Sequence, residues 1–347
     1  MQLALVLAAL FASSVAASPV SALSVDERDS LEKDLAAWKE QFEDVARKDG
    51  LLPNANGSHQ ESANVDDQLQ RLLDTKHAVQ SASRQNPDAV FDWRNKFALM
   101  TDAEFKKYVQ VSFNQVHYLR TDVIAHPESA VVHAAVAASK DWTTSGCVNP
   151  VQNQGQCGSC WAFSAVGVAE SANCIKTGKL LKLSEQQVTS CSTNGGSQGC
   201  NGGYPWSAID YTSSGVCLAK DYAYTSGGSG STGSCKSSCT KQKLSIGKSV
   251  RVSGDANVIN AISKQPVSVT VAAGNSVWRN YKSGVVSSCP TAQSDHAVIA
   301  VGYDGTSIKV RNSWGTTWGV GGYITLNRGS GGQGTCNVVG AASYPSI

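Results

Sequence analysis

The sequence predicts an α+β protein with a helical half followed by a β half, preceded by a smaller helical unit of different character. Three observations lead there. All eleven cysteines lie between Cys147 and Cys336, so the first 146 residues contain none. Helical periodicity is confined to the front of the chain and to residues 160–213. From about Leu244 the apolar residues come instead in short β-rich runs bounded by Gly, Pro or Asp.

The elements follow in order. Gln2 to Phe11 is almost wholly apolar, and Val15-Ala16-Ala17 offers small residues for cleavage, which reads as a signal peptide over 1–17. The apolar run is shorter than the ~20 residues that a membrane span needs, and no later segment is long and apolar enough. Residues 24–49 are expected to be helical, with Leu31, Leu35, Trp38, Phe42 and Val45 on one face, stopped by Gly50 and Pro53. Residues 54–64 read as a polar loop carrying the sequon Asn56-Gly-Ser58. A second helix is expected over Asp66–Ser83, and Thr101-Asp-Ala-Glu104 has the pattern of a capping box that starts a third. Residues 121–139 read as a linker. Cys160–Thr177 reads as a helix ended by Gly178, Ser184 as the cap of a short helix, and Tyr204–Ser213 as a further one. Residues 192–240, rich in Gly, Ser and Cys, read as a stapled loop region. Strands are expected at 267–271, 297–301, 308–310 and 323–326.

A signal peptide with eleven cysteines implies a disulfide-bonded domain in an oxidising compartment, with at least one thiol left over. Charge divides the chain at the same place. Residues from Val136 onward carry a net +8, the preceding ones −6. The Lys residues of the basic part are scattered, so its natural partner is the acidic N-terminal unit rather than nucleic acid.

Chemistry concentrates in Gln154-Gly-Gln-Cys-Gly-Ser-Cys160-Trp-Ala-Phe163. Cys160 opens an apolar helix, where unpaired N–H groups and the helix dipole favour a thiolate. A nucleophilic thiol needs a base and a group that orients the base. Of six histidines only His296 lies outside the N-terminal unit, at the head of a strand in Ser-Asp-His-Ala-Val-Ile. Asn312 ends the next expected strand, so the two would be adjacent, with Trp314 placed to cover their hydrogen bond. Gln154 is the side-chain candidate to hold an oxyanion, with the Cys160 N–H as second donor. Cys157-Gly-Ser-Cys160 is also a C-x-x-C, but the βαβ context of a thiol–disulfide oxidoreductase is absent. Zinc needs more ligands than one histidine and oxidised cysteines supply, so no metal or cofactor is expected. A binding protein keeping this fold without activity would be expected to have lost Cys160, His296 or Gln154.

These residues resemble those of the papain-like cysteine protease precursors, of the cathepsin L-like type. The Cys-Gly-Ser-Cys-Trp signature, His296 and Asn312 lying 136 and 152 residues after Cys160, Cys200-Asn-Gly-Gly-Tyr-Pro-Trp206 and Asn312-Ser-Trp-Gly315 occur in the family's order. The resemblance runs from Asp141-Trp142 to the last residues. It implies a two-lobe fold over 136–347, with a helical left lobe at about 145–243 and a β-barrel-like right lobe at about 244–347, behind a mainly helical inhibitory propeptide over 18–135. It implies a cysteine endopeptidase made as a zymogen in the secretory pathway, extracellular or in a lysosome or vacuole. It further implies that Gly202 and Gly203 pair with the substrate backbone and that Tyr204, Pro205, Thr270, Ala297 and Ala341 line the pocket for the P2 side chain, with Asp295 contributing its backbone carbonyl. No acid falls at Ala341, so hydrophobic P2 residues are expected. Implied disulfides are Cys157–Cys200, Cys289–Cys336 and Cys191 with either Cys235 or Cys239; Cys147, Cys174, Cys217 and the remaining cysteine stay open. Implied partners are polypeptide substrates, the chain's own propeptide and cystatin-like protein inhibitors, with the enzyme a monomer. Within the N-terminal unit Asn95-x-Phe97 and Met100-Thr-x-x-Glu-Phe105 fit the propeptide pattern, whereas Leu99 stands where an acid is expected.

Overall fold

A computed structural model describes residues 19–53, 61–110, 136–329 and 331–347. The signal segment, Asn56 and most of the linker lie outside them. Helix α1 (Val25–Lys48) starts on a complete capping box: the Ser24 hydroxyl accepts from the Glu27 N–H, and the Ser24 N–H donates to the Glu27 carboxylate at 2.9 Å. Its buried stripe is Leu31, Leu35, Trp38, Phe42 and Ala46, and the Trp38 indole donates to the Asn95 carbonyl at 2.8 Å. Helix α2 (Glu61–Gln85) begins earlier than the sequence suggested. Four residues expected in the polar loop are helical, because 61–64 contains no breaker and polar composition alone does not oppose a helix. Strand β1 (Ala89–Phe91) follows. Helix α3 (Asp102–Gln110) starts at the expected Thr101–Glu104 box, whose two reciprocal bonds are 2.9 and 3.2 Å.

The helical lobe follows β2 (Lys140–Asp141). Helix α4 (Cys160–Thr177) is buried without a break from Cys160 to Cys174. Apart from Glu170 and Asn173, its buried side chains are apolar or small on every face, as a central core helix requires, and Gly178 closes it at φ 73°. Against it pack α5 (Glu185–Cys191), capped by the Ser184 hydroxyl, and α6 (Pro205–Thr212), with proline at its first turn. Disulfides Cys147–Cys174, Cys157–Cys200, Cys191–Cys235 and Cys217–Cys239 staple this lobe. Cys191 thus takes Cys235, and Cys239 goes to Cys217.

The second lobe contains β3 (Ser249–Val252), α7 (Asp255–Lys264), β4 (Val267–Val271), α8 (Ser276–Asn280), β5 (Tyr281–Val286), β6 (His296–Tyr303), β7 (Ser307–Arg311), β8 (Tyr323–Asn327) and β9 (Ala342–Pro345). The sheet runs β1-β5-β8-β7-β6-β4-β9-β3, with β2 beside β6; among the described residues only β5 and β8 are parallel. The expected strands are present, and two short helices break what read as an all-β half. Cys289–Cys336 closes this lobe. One apolar cluster runs from Leu35, Trp38, Phe97 and Phe105 of the N-terminal unit into Trp278, Trp314 and Ile308 of the sheet lobe. A separate cluster around Trp161, Val166, Leu183 and Ile209 fills the helical lobe.

Candidate active site

The site forms where the start of α4 meets the start of β6. Cys160 is the first residue of α4, is buried and is the cysteine that no disulfide takes. The preceding Ser159 does not cap the helix with its side chain. Its hydroxyl instead lies 2.7 Å from the Tyr224 hydroxyl, which in turn donates to the Gln154 carbonyl at 2.8 Å. The first-turn N–H groups therefore keep their pull on a negative charge at Cys160. Register along the sheet sets the opposite wall: Thr270 pairs with Ala297 and Val271 with His296. The Ala297 N–H reaches the Cys160 sulfur at 3.3 Å.

His296 is fully buried, and its Nε2 lies 2.8 Å from the Asn312 side-chain oxygen. Antiparallel pairing of β6 and β7 creates this contact, as the sequence predicted. Trp314 lies almost parallel over the imidazole, ring centroids 4.9 Å apart, and is itself fully buried. Nδ1 of His296 has no hydrogen-bond partner among the described residues. Burial pushes the His296 pKa down to about 4, against the opposing pull of Asn312. With the N-terminal unit in place the imidazole is therefore neutral at ordinary pH.

Gln154 is nearly inaccessible and doubly tethered. The Ser313 hydroxyl donates to its side-chain oxygen at 2.6 Å, and its Nε2 donates to the Cys157 carbonyl at 3.1 Å. Gly202 adopts φ 105°, and a Cβ at Gly203 would stand 2.5 Å from the Trp161 indole. Tyr204 lies against Trp206, ring centroids 4.7 Å apart and planes tilted by 35°, Pro205 opens α6, and the Thr270 N–H donates to the Ala341 carbonyl at 3.0 Å. The Asp295 carboxylate accepts from the Ala273 and Gly274 N–H groups, yet burial raises its pKa to about 6. Glu170 accepts from the Leu183 N–H at 2.8 Å and shares Lys182 with Glu185, a structural arrangement away from the thiol.

The N-terminal unit lies over this constellation. Phe97, Phe105 and Tyr108 surround Trp314 at centroid distances of 5.5, 5.7 and 6.2 Å. Asp49 and Lys96 form a buried ion pair at 2.5 Å, and the Asn153 amide donates to both Asp49 oxygens at 3.1 Å. Burial pulls the Lys96 pKa down, and the facing carboxylate opposes that. Neither Asp49 nor Asn153 was singled out from sequence.

A profile of the papain family cysteine proteases matches residues 136–346. The chain belongs to the papain family. Chymopapain of Carica papaya is 39% identical over 262 residues, 72% of each chain. Among solved structures, the proform of a ragweed pollen cysteine protease superposes with a TM-score of 0.78 at 27% identity, over 93% of this chain and 96% of that one. A Carica candamarcensis cysteine protease in complex with E-64 is 41% identical, with a TM-score of 0.57, over 61% of this chain and 99% of that one. The protein is a papain-like cysteine endopeptidase precursor with the α+β two-lobe fold, a zymogen whose substrates are polypeptides. The helical unit ahead of the peptidase domain is its pro-segment, and the resemblance of pattern noted at Asn95 and Phe97 corresponds to side chains packed against the domain. Leu99, the departure from that pattern, is buried, and its carbonyl accepts from Arg71 at 3.1 Å.

Proposed function

We propose that Cys160 and His296 act as a thiolate–imidazolium pair that cleaves peptide bonds through a thioester. Cys160 attacks the scissile carbonyl, and its own N–H and the Gln154 amide hold the oxyanion. His296, oriented by Asn312, protonates the leaving amine, after which water hydrolyses the thioester. The observation that carries this reading is the His296–Asn312 contact at 2.8 Å beneath Trp314, beside the helix terminus that bears Cys160. The His296 nitrogen left without a partner is the one free to take the thiol proton.

Substrate backbone pairs with Gly202 and Gly203. Tyr204, Pro205, Thr270, Ala297 and Ala341 receive a hydrophobic P2 side chain, and Asp295 adds its carbonyl. Five disulfides fit passage through the secretory pathway to the exterior or to a lysosome or vacuole. The enzyme works as a monomer, and its cleft is the surface that cystatin-like inhibitors would take.

The test is acidification of the purified precursor with a thiol reductant, followed by assay on a peptide amide with and without an alkylating epoxide. Expected are trimming to the domain that starts near residue 136, inhibitor-sensitive cleavage and label at Cys160. Cys160→Ala should lose turnover while retaining peptide binding; cleavage by that variant would defeat the assignment. Gln154→Ala should lower kcat by about 10²–10³ with little change in KM. A change in KM alone would remove its oxyanion role.

A further inference from the structure

Helix α8 carries a charged group that the proposed chemistry does not use. Its Trp278 meets the His296 ring edge-on, centroids 6.3 Å apart, and stacks on Trp318 at 5.7 Å. A base that hands a proton to the departing amine has that amine, and the peptide following it, on its own side. Arg279 follows Trp278 in this helix and meets the pro-segment at Met100 and Asp102, between Phe97 and Phe105, which pack on the Trp314 ring that covers His296.

Arg279 is 2% exposed, and both hydrogen bonds of its guanidinium end on the pro-segment. Nη1 donates to the Met100 carbonyl at 2.8 Å, and Nη2 meets the Asp102 carboxylate at 2.9 Å. Nε has no partner among the described residues. The acids that act on it, Asp102 and Asp74, both belong to the pro-segment. Among the described residues the peptidase domain supplies no carboxylate for it. Release of the pro-segment therefore leaves the guanidinium without a counter-ion among the described residues. Such a group takes carboxylates through charge-assisted, often two-point hydrogen bonds. The pro-segment already makes a contact of this kind, a main-chain carbonyl together with a carboxylate two residues on.

We infer that Arg279 binds a carboxylate on the leaving-group side of the substrate and so favours an acidic residue at the first or second position after the cleaved bond. The inference rests on the endopeptidase reading above. The carboxylate can come from a side chain or from a chain end, and the experiment separates the two.

Mature enzyme, counted by titration with the epoxide, is assayed at pH 6, where Glu is ionised. The substrates are internally quenched peptides with amidated ends, identical except for Glu, Gln or Lys at those two positions. Glu should exceed Gln in kcat/KM by about tenfold, with Lys lowest. Arg279→Gln should erase the gap, and Arg279→Glu should turn the preference toward Lys. A second pair carries Gln at both positions and ends there, as free acid or as amide. A gap in this pair alone, lost in Arg279→Gln, keeps the carboxylate site but overturns the side-chain preference. Equal rates for wild-type enzyme across both sets overturn the inference without needing a variant. Failure to cleave any of the peptides, with no label at Cys160, would instead remove the endopeptidase reading and this inference with it.

Discussion

Five disulfides lie within the peptidase domain and none joins it to the pro-segment, which meets the domain through rings and charges instead. Phe97, Phe105 and Tyr108 crowd Trp314, Asp49 accepts from Asn153, and Asp102 pairs with Arg279. One side of the interface is covalently fixed, and the other is held by non-covalent contacts. The pro-segment also contains its own ionic ties, Arg71 to Asp67 and Glu104 and Lys76 to Asp34. The difference teaches how one chain can shed part of its apolar core without unfolding the remainder. The part that stays is cross-linked, and the part that goes is held by ring contacts, hydrogen bonds and ion pairs.

The strongest way to break this contrast is at the buried pair. Removing one partner of a buried, hydrogen-bonded ion pair costs about 3–5 kcal/mol. Asp49→Ala would strand Lys96, which is only 3% exposed, and free Asn153 from the pro-segment. We expect Cys160 in the intact variant precursor to be alkylated far faster at neutral pH than in the wild type. Unchanged protection would show that the aromatic cluster alone holds the cleft shut.

The covalent half is tested next. Replacing Cys147 and Cys174 by serine should cost the domain about 2–4 kcal/mol, seen as a lower melting temperature of the mature enzyme. The pH at which the precursor releases its pro-segment should stay the same; a shift there would mean that the staples also govern release.

The smallest effect belongs to Glu104. Burial alone would raise its pKa, but the Arg71 guanidinium and the Thr101 N–H hold it below the ordinary value. A carboxylate with a depressed folded pKa contributes stability above its unfolded pKa, lost as pH falls through the folded one. The group is partly exposed, so the contribution is under about 1 kcal/mol. Glu104→Gln should therefore release the pro-segment at a slightly higher pH, with variant and wild type converging once the carboxylate is protonated. Release curves followed by Cys160 labelling would check this.

Cys160, His296, Asn312 and Gln154 were legible because their chemistry restricts residue type and because few candidates compete; a lone histidine outside the N-terminal unit left little choice. The Thr101 and Ser184 caps were legible because capping is local. Asp49, Lys96 and Asn153 were not. They meet across 47 and 104 residues of sequence, and a lysine or aspartate reads as a surface charge until its partners are known. Helix α7 was missed because Val258, Ile259 and Ile262 are β-branched and sit among strand-like runs, although their spacing is helical. Arg279 gave no signal, since its partners come from a segment about 180 residues away.

Strand β1 of the pro-segment pairs with β5, Ala89 opposite Gly284 and Phe91 opposite Tyr281. When the pro-segment departs, β5 changes from an interior strand to an edge strand, with a row of N–H and C=O groups open to any other chain. Edges of this kind invite sheet-to-sheet aggregation, and lysine and local twist are common defences. Lys282 is exposed on β5, and Gly284 at φ 82° interrupts its regularity. Maturation thus uncovers a potential aggregation template together with the cleft, and the sequence of β5 has to suit both the sealed and the unsealed form.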